Sequence, residues 1–337
     1  MIYRDYDEGP WEPNHEGGNR NFEGYYFLQK LNSVIKLAHP AVVMIAEEST
    51  SETKITGMVE EGALGFDYKW DLGWMNDTLK YFQEDPVYRQ YDSRFITFSM
   101  AYFYSERFLL EFSHDEVVHG KATIINKMWG LHGDKLAQVK ALYVYMMLHP
   151  GKKLNFMGNE LAEYKEWDES KSLGWDILKY PDHDAFHRFT QKLNEIYLKY
   201  PALYQMDYDL KGFEWLVVDD HDQCVFAIER KDKAGNAIIA VMNFVGNSHD
   251  GYKVPVNIEG SYKEILNTDQ DVYSGKGMVN PRALRSKKLK LKEKTRLLNK
   301  DHYIEVKLAP FSACIFEVKP KKETSTKTRK KVVKKTK

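Results

Sequence analysis

The stretch Phe108-Leu-Leu-Glu-Phe-Ser-His-Asp-Glu-Val-Val-His-Gly120 joins a run of large apolar residues to a cluster of polar ones. Residues 108–112 predict a β-strand, and Ser113-His-Asp-Glu116 follows directly after it. In parallel α/β folds, the carboxyl ends of the strands form the face that carries the active site. Residues 108–116 therefore bear on both the fold and the position of a functional site.

Amphipathic helices and apolar strands alternate through the first 200 residues. A continuous apolar run at Ala41–Ala46 predicts a strand buried on both faces, and Leu154–Met157 predicts another. We expect the first helix to stop at His39-Pro40 and the second at His149-Pro150. Strands separated by helices predict a parallel α/β fold. Apolar residues at helical spacing predict three helices, around Tyr25/Leu28/Leu31/Ile35, Leu136/Val139/Tyr143/Met146 and Phe186/Phe189/Leu193/Ile196.

The chain changes character after about residue 210. Short strands separated by polar turns predict an antiparallel β-sandwich over 210–318, and the Lys-rich segment 319–337 is expected to be disordered. Residues 1–209 hold only about four βα units, whereas a (β/α)8 barrel needs about 250 residues. The first domain is therefore either a small open sheet or the C-terminal half of a barrel. The expected strands are Trp215–Val218, Val225–Glu229, Ile238–Phe244, Ile265–Asn267 and Ile315–Val318.

The net charge of zero hides an uneven distribution. Residues 319–337 carry ten basic residues and one acid, residues 282–300 carry nine basic residues and one acid, and the rest of the chain sums to −17. The basic tail has no aromatic residue to stack on bases, so we expect a solvated segment rather than a nucleic-acid site. Two cysteines and no apolar leader or long apolar run predict a cytoplasmic protein that does not enter a membrane.

Two acidic clusters follow predicted strands. Glu47 comes after residues 41–46 and Asp115 after residues 108–112, so both are expected at the same edge of a parallel sheet. Paired carboxylates suit glycosyl chemistry, in which one acid protonates the leaving oxygen and a carboxylate balances positive charge on the sugar. The acid must have a raised pKa, which burial or a neighbour such as Glu48 could supply. The alternative is that each acid caps the following helix.

A metal site is a second alternative at the same place. His114, Asp115, Glu116 and His119 are all potential ligands, but their spacing matches no standard ligand motif. We therefore expect neither a metal nor another cofactor.

The chain resembles the bacterial 1,4-α-glucan (glycogen) branching enzymes of the α-amylase superfamily. The resemblance covers nearly all of residues 1–318, and Ser113-His-Asp-Glu-Val-Val-His-Gly120 is its most specific part. Other matching segments are Met1–Tyr6, Trp11–Asn14, Ala46–Thr50, Leu64–Phe66, Tyr68–Trp70, Gly73–Met75, Asp85–Tyr88, Pro150–Lys153, Phe156–Gly158, Glu166-Trp167, Gly212–Leu216 and Ile265–Thr268.

The resemblance implies a (β/α)8 barrel followed by an all-β domain, and retaining transfer of an α-1,4-glucan chain to a 6-hydroxyl. It implies that Glu47 is the general acid/base, that Asp115 stabilises the transition state and that His114 contacts substrate. No cofactor is implied. Further candidates for contact with sugar rings are Trp70, Trp74, Trp167 and Trp175, although core packing is the somewhat better explanation for each of them.

The family's nucleophilic aspartate has no counterpart in this sequence. In the family, that residue lies on the fourth barrel strand, in a motif that ends just before the segment matching residues 1–3. Covalent catalysis needs the nucleophile. We therefore expect a fragment of a branching enzyme that is inactive alone and that a separately encoded N-terminal half could complete. The alternatives are a non-catalytic glucan-binding or scaffold protein and, less favoured, an amylase-type hydrolase.

Overall fold

The structure, a computed structural model, describes Tyr3 and residues 12–321. The expected disorder of 319–337 is wrong for Lys319 and Pro320, which pair with Ser261 and Gly260 as part of a β-strand. Residues 322–337 lie outside the described part. Within that part, none of the helices combines the length and the apolar character needed to cross a membrane.

A four-stranded parallel sheet organises the first half of the chain. Its strands lie side by side in sequence order and all run in the same direction. The third strand is the best buried, because all five of its side chains are enclosed. This arrangement confirms the expected parallel α/β order. The strands are β1 (Ile45–Ala46), β2 (Tyr68–Trp70), β3 (Phe108–Phe112) and β4 (Lys152–Asn155).

Helices follow or connect these strands, and their ends match the local sequence signals. The first helix begins after Asn21, whose side chain accepts a hydrogen bond from the Gly24 N–H, and it ends at His39 as expected. The fifth helix ends at His149, also as expected. The sixth begins with Pro181, which suits a first helical turn. The helices are α1 (Phe22–Ala38), α2 (Leu72–Gln83), α3 (Arg94–Thr97), α4 (Ile124–Lys127), α5 (His132–Leu148) and α6 (Pro181–Lys199).

The second half of the chain forms two antiparallel sheets. One has the order β10-β9-β13-β7-β6-β5 and the other the order β11-β12-β8. A shared apolar cluster joins the two, which confirms the predicted antiparallel sandwich. The strands are β5 (Phe213–Asp220), β6 (Val225–Lys231), β7 (Ala237–Asn243), β8 (His249–Val256), β9 (Gly260–Asn267), β10 (Leu284–Arg285), β11 (Lys287–Lys288), β12 (His302–Leu308) and β13 (Ser312–Pro320).

The prediction for Ala41–Ala46 is wrong in extent and in burial. Only Ile45 and Ala46 pair as strand, and the Val42 and Val43 side chains are 45% and 54% exposed. The physical reason is that, among the described residues, β1 pairs with β2 on one side and has no partner strand on the other. Apolar, β-branched residues here form an edge rather than a strand with two neighbours. The strand expected at Leu154–Met157 lies two residues earlier, as β4.

Helix α5 and the β-sandwich share one apolar core. A single buried cluster includes Leu142 of α5 together with Ile228 of β6 and Ile315 of β13. Two buried arginines reinforce this junction. Arg89 donates to the Phe244 carbonyl at 2.6 Å, and Arg230 donates to the Leu148 carbonyl at 2.9 Å. The two halves are therefore held together by packing and by hydrogen bonds to backbone.

The basic segment 282–300 pairs with acids of its own domain. Arg296 lies 3.0 Å from Asp219, and Lys294 lies 2.6 Å from Asp301. Further ion pairs join Lys287 to Glu305 and Lys300 to Glu214. At least part of the positive charge noted in the sequence is therefore balanced within the β-sandwich.

A buried carboxyl group lies in the middle of β3. Glu111 is fully buried, pairs in register with Leu154 of β4, and accepts a hydrogen bond from the Asp71 N–H at 2.9 Å. Its Oε1 atom has no hydrogen-bond partner. Burial, together with the charge of Asp71, raises the pKa of Glu111 to about 9. Glu111 is therefore a neutral acid at physiological pH.

The neutral state of Glu111 predicts how stability changes with pH. Because its folded pKa lies above its unfolded value, the fold binds the proton more tightly, and stability falls as pH rises from about 4.5 towards 9. Between pH 5 and pH 7 this amounts to about 3 kcal/mol. We expect Glu111→Gln to lose that part of the pH dependence, measured by urea unfolding at both values.

The control for this measurement is Glu60→Gln, because Glu60 is an exposed carboxylate. Equal pH dependence in Glu111→Gln and the parent chain would contradict the assignment of a buried, protonated Glu111.

Candidate functional site

The strand order brings the two expected carboxylates to one edge of the sheet. Glu47 follows the last residue of β1, and Asp115 lies three residues after the end of β3. The strands are parallel and only β2 lies between them, so their ends are about 10 Å apart. Both acids therefore follow strand ends at one edge of the sheet, which is where the sequence predicts them.

A short turn fixes the residues that follow β3. Ser113 Oγ accepts a hydrogen bond from the Asp115 N–H at 3.2 Å. The Glu116 carboxylate accepts from the Ser113 N–H at 2.8 Å and from its hydroxyl at 2.7 Å. This reciprocal cap occupies Glu116, which is buried, and leaves His114 and Asp115 at the surface.

His114 and Asp115 form an adjacent pair at the strand end. His114 Nε2 lies 3.3 Å from Asp115 Oδ1, and both side chains are about half exposed. The His114 ring lies beside two aromatic rings, Phe156 at 5.9 Å and Trp167 at 6.4 Å between centroids. Asp115 is therefore next to His114, and His114 is in turn next to Trp167.

Glu47 lies at the opposite end of this edge. Its side chain is exposed, and it is followed by Glu48, whose Oε1 accepts a hydrogen bond from the Thr50 N–H at 2.7 Å. Glu48 thus shapes the loop after β1. Glu47 is exposed, so the burial expected of a proton-donating acid is not found within the described residues.

Glu166 connects two loops of the site, a role that sequence reasoning missed. Its carboxylate accepts hydrogen bonds from the Gly120 N–H at 2.8 Å and the Ala122 N–H at 2.7 Å. These bonds lower the pKa of Glu166. The backbone N–H of Trp167 donates to the Val117 carbonyl at 2.9 Å. The loop that carries Trp167 is therefore held against the segment that follows Asp115.

The backbone of residues 119–122 explains why a carboxylate fits there. His119, Gly120 and Ala122 all have positive φ angles, of 50°, 83° and 65°. A loop in this conformation turns backbone N–H groups towards one side, where an anion can accept from them. Gly120, directly after His119, is the sequence signal for this loop conformation. The acceptor, Glu166, lies 46 residues later in the chain, and no local pattern identifies it.

Three of the four residues considered above as metal ligands, His114, Asp115 and Glu116, are engaged with other side chains. Glu116 is occupied by Ser113, and Asp115 is paired with His114. Within Tyr3 and residues 12–321, histidine, cysteine and carboxylate side chains do not converge in groups of three or more that could hold an ion.

The four candidate tryptophans are placed differently. Trp167 lies at the site, and Trp70 is a partly buried residue at the end of β2. Trp175 is 50% exposed and packs edge-on against His187. Trp74 is only 1% exposed and packs among Phe112 and other core residues. Its ring has no face open to a sugar, so the structure places Trp74 in the core and not at the site.

A cavity of about 420 Å³ lies beside Trp167, and its lining does not include Glu47, His114 or Asp115. Its lining combines apolar side chains, such as Met157 and Leu173, with charged ones, such as Asp168 and Lys171. Apolar walls with a few polar groups are typical of ligand sites, and this volume falls in their usual range. We call it the Trp167 cavity.

The β-sandwich matches a known protein family, and the whole fold resembles a solved structure. Residues 215–319 match the alpha amylase C-terminal all-beta domain. The fold resembles the crystal structure of AmyP in complex with maltotriose, with a TM-score of 0.61 at 11% sequence identity. The match covers 88% of this chain and 63% of that one, so this chain spans less than two thirds of the length of AmyP. At this identity the likeness concerns the fold.

The contacts of Glu166 give a prediction for the loop after Asp115. We expect Glu166→Ala to speed amide hydrogen exchange at Gly120 and Ala122 by about tenfold, because both N–H groups lose their acceptor. Exchange measured by mass spectrometry reports on this segment directly. The matched control is Glu169→Ala, an exposed acid three residues away. Unchanged exchange in Glu166→Ala would show that the carboxylate does not hold the loop.

Proposed function

We propose that this chain carries part of the catalytic centre of a 1,4-α-glucan branching enzyme, a retaining glucanotransferase that forms α-1,6 branches. One observation carries the proposal: Glu47 and the His114–Asp115 pair follow strands β1 and β3 at a single edge of the parallel sheet. The specific residue pattern Ser113–Gly120 supports the branching type, and the β-sandwich that matches an alpha amylase domain supports the broader family.

The proposed chemistry assigns one role to each group. Glu47, exposed on its loop, protonates the glycosidic oxygen that leaves and later deprotonates the acceptor hydroxyl. Asp115 balances the positive charge that develops on the sugar, and His114 beside it contacts the sugar hydroxyls. Trp167 lines the neighbouring cavity, and we propose that a glucose ring packs against it there.

The nucleophile of a retaining reaction is proposed to come from an additional polypeptide segment. The edge of β1 supports this idea. Within the described residues this strand pairs on one side only, Ile45 in it is exposed, and so are Val42 and Val43 just before it. Phe27 and Leu37 of α1 are exposed as well, at 62% and 88%. Parallel sheets normally have both faces covered and their edges paired or protected. A further βα segment docked at this edge would cover these residues and add a carboxylate to the site.

The proposal predicts the activity of the purified chain. Alone, it should produce no branches in amylose, because the covalent step has no nucleophile. Together with a polypeptide that carries the family's nucleophile motif, it should produce branches, and Glu47→Gln or Asp115→Asn should lower that rate by at least about a hundredfold. Iodine staining of amylose measures the product.

The control is Glu60→Gln, an exposed acid outside the site, which should keep the activity of the reconstituted pair. Branching by the chain alone would contradict the missing nucleophile. Glucan binding without turnover, even in the reconstituted pair, would favour a non-catalytic glucan-binding protein instead.

A further inference from the structure

A cavity of about 300 Å³ lies at the edge of the parallel sheet opposite to the candidate site. The strand starts supply part of its lining: Tyr68 is the first residue of β2, Arg107 directly precedes β3, and Lys152 is the first residue of β4. Residues 204–209 and Lys233, which lies in the turn between β6 and β7, supply the rest. Both halves of the chain therefore line this space. We call it the Arg107 cavity.

Hydrogen bonds hold the walls of this cavity in place. The Tyr208 hydroxyl donates to the Phe108 carbonyl at 2.7 Å, which ties residues 204–209 to the start of β3. The backbone N–H of Lys233 donates to Gln205 Oε1 at 2.9 Å, which ties the turn of the β-sandwich to the same segment. The cavity is therefore preformed, and a ligand does not have to organise it.

One acid of the lining is already balanced by two cations. Asp207 is almost fully buried, with Arg230 at 2.7 Å from its Oδ1 atom and Lys152 at 2.9 Å from its Oδ2 atom. We call these three residues the Asp207 group, and together they carry one positive charge. Asp207 therefore holds Lys152 at the wall of the cavity without making that wall negative.

Two other cations of the lining are not paired in this way. Arg107 and Lys233 are exposed, and among the described residues their side chains form no hydrogen bond or ion pair. Asp67 attracts Arg107 from outside the lining, but it forms its own ion pair with Lys36 at 2.9 Å. The guanidinium of Arg107 and the ammonium of Lys233 therefore keep their donors available to a ligand.

The net charge of the lining favours an anion. Asp209, the second acid, is exposed and brings one negative charge. Arg107, Lys233 and the Asp207 group bring one positive charge each, so the lining together with Arg230 has a net charge of +2. A guanidinium together with ammonium groups suits the oxygens of a phosphate monoester, which carries about two negative charges at neutral pH.

Aromatic rings supply the apolar part of the lining. The rings of Tyr68 and Tyr208 lie 6.2 Å apart between centroids, and the Lys152 ammonium lies 6.0 Å from the centroid of Tyr204. All three tyrosines are partly exposed. Inorganic phosphate has no apolar surface to pack against these rings, whereas a phosphate carried on a sugar or a nucleoside has one.

We propose that the Arg107 cavity binds a small phosphate monoester carried on a ring, such as a sugar phosphate or a nucleoside monophosphate. Arg107 and Lys233 bind the phosphate oxygens, and the tyrosine rings pack against the sugar or the base. The ligand binds at the sheet edge opposite to Glu47 and Asp115 and contacts both halves of the chain, so it stabilises the fold rather than serving as substrate. This binding does not depend on the proposed branching function.

Calorimetric titration of the whole chain tests the proposal with four probes: glucose 6-phosphate, adenosine monophosphate, inorganic phosphate and glucuronate. We expect at least one of the two phosphate monoesters to bind about tenfold more tightly than inorganic phosphate or glucuronate. Arg107→Gln and Lys233→Gln should each weaken that binding by about tenfold, because each removes a charge-assisted hydrogen bond. The matched controls are Arg285→Gln and Lys263→Gln, which remove exposed cations outside the cavity and should leave binding unchanged.

Each outcome of the titration decides the proposal. Failure of both monoesters to bind would overturn it, as would binding that neither Arg107→Gln nor Lys233→Gln weakens or that the control variants weaken equally. Equal binding of inorganic phosphate would overturn the contact with a ring, and equal binding of glucuronate would overturn the choice of phosphate. Thermal melting checks that each variant is folded, and if Arg107→Gln is not, Lys233→Gln carries the test. Branching is measured separately in the reconstituted pair, so failure here leaves the proposed function intact.

Discussion

The parallel pairing of β3 with β2 and β4 is the constraint on which the rest of the structure depends. The five residues Phe108–Phe112 are all buried, and the strand pairs with both neighbours. Leu110 and Phe112 belong to the apolar cluster that also contains residues of α5 and α6. Because parallel strands end at one edge, this pairing places the His114–Asp115 turn beside the end of β4 and in line with the end of β1. Without it, the polar residues after each strand would have no common surface.

Hydrogen bonds that two carboxylates accept from backbone N–H groups hold the loops of the candidate site in place. Glu116 stabilises the turn that presents His114 and Asp115, and Glu166 holds the following segment against the loop of Trp167. Neither acid needs to touch a substrate. In this arrangement some carboxylates shape the backbone and others remain available, which is how an acid-rich sequence can build a site without filling it with repelling charges.

Much of the fold follows from local sequence signals. Helices α5 and α6 have clear apolar periodicity and a defined stop or start at proline, and β3 is a compact apolar run, so all three were predictable. Strand β2 was missed because it is three residues long and contains Lys69, whose ammonium group is buried against backbone carbonyls. Val42 is exposed because it lies next to an edge strand, and a local sequence pattern does not show whether a strand is at an edge.

The residues of the candidate site were proposed from the sequence, but several of the contacts around them could not be predicted from it. Glu47, His114 and Asp115 were identified from their position after strands and from the family resemblance, whereas the burial of Trp74 and the bridging role of Glu166 depend on contacts between distant segments. The most direct test of the central claim is a crystal structure of this chain with maltotriose. The account predicts a glucose ring against Trp167 with hydroxyls within hydrogen-bond distance of His114 and Asp115. A maltotriose bound elsewhere, with this edge of the sheet empty, would contradict it.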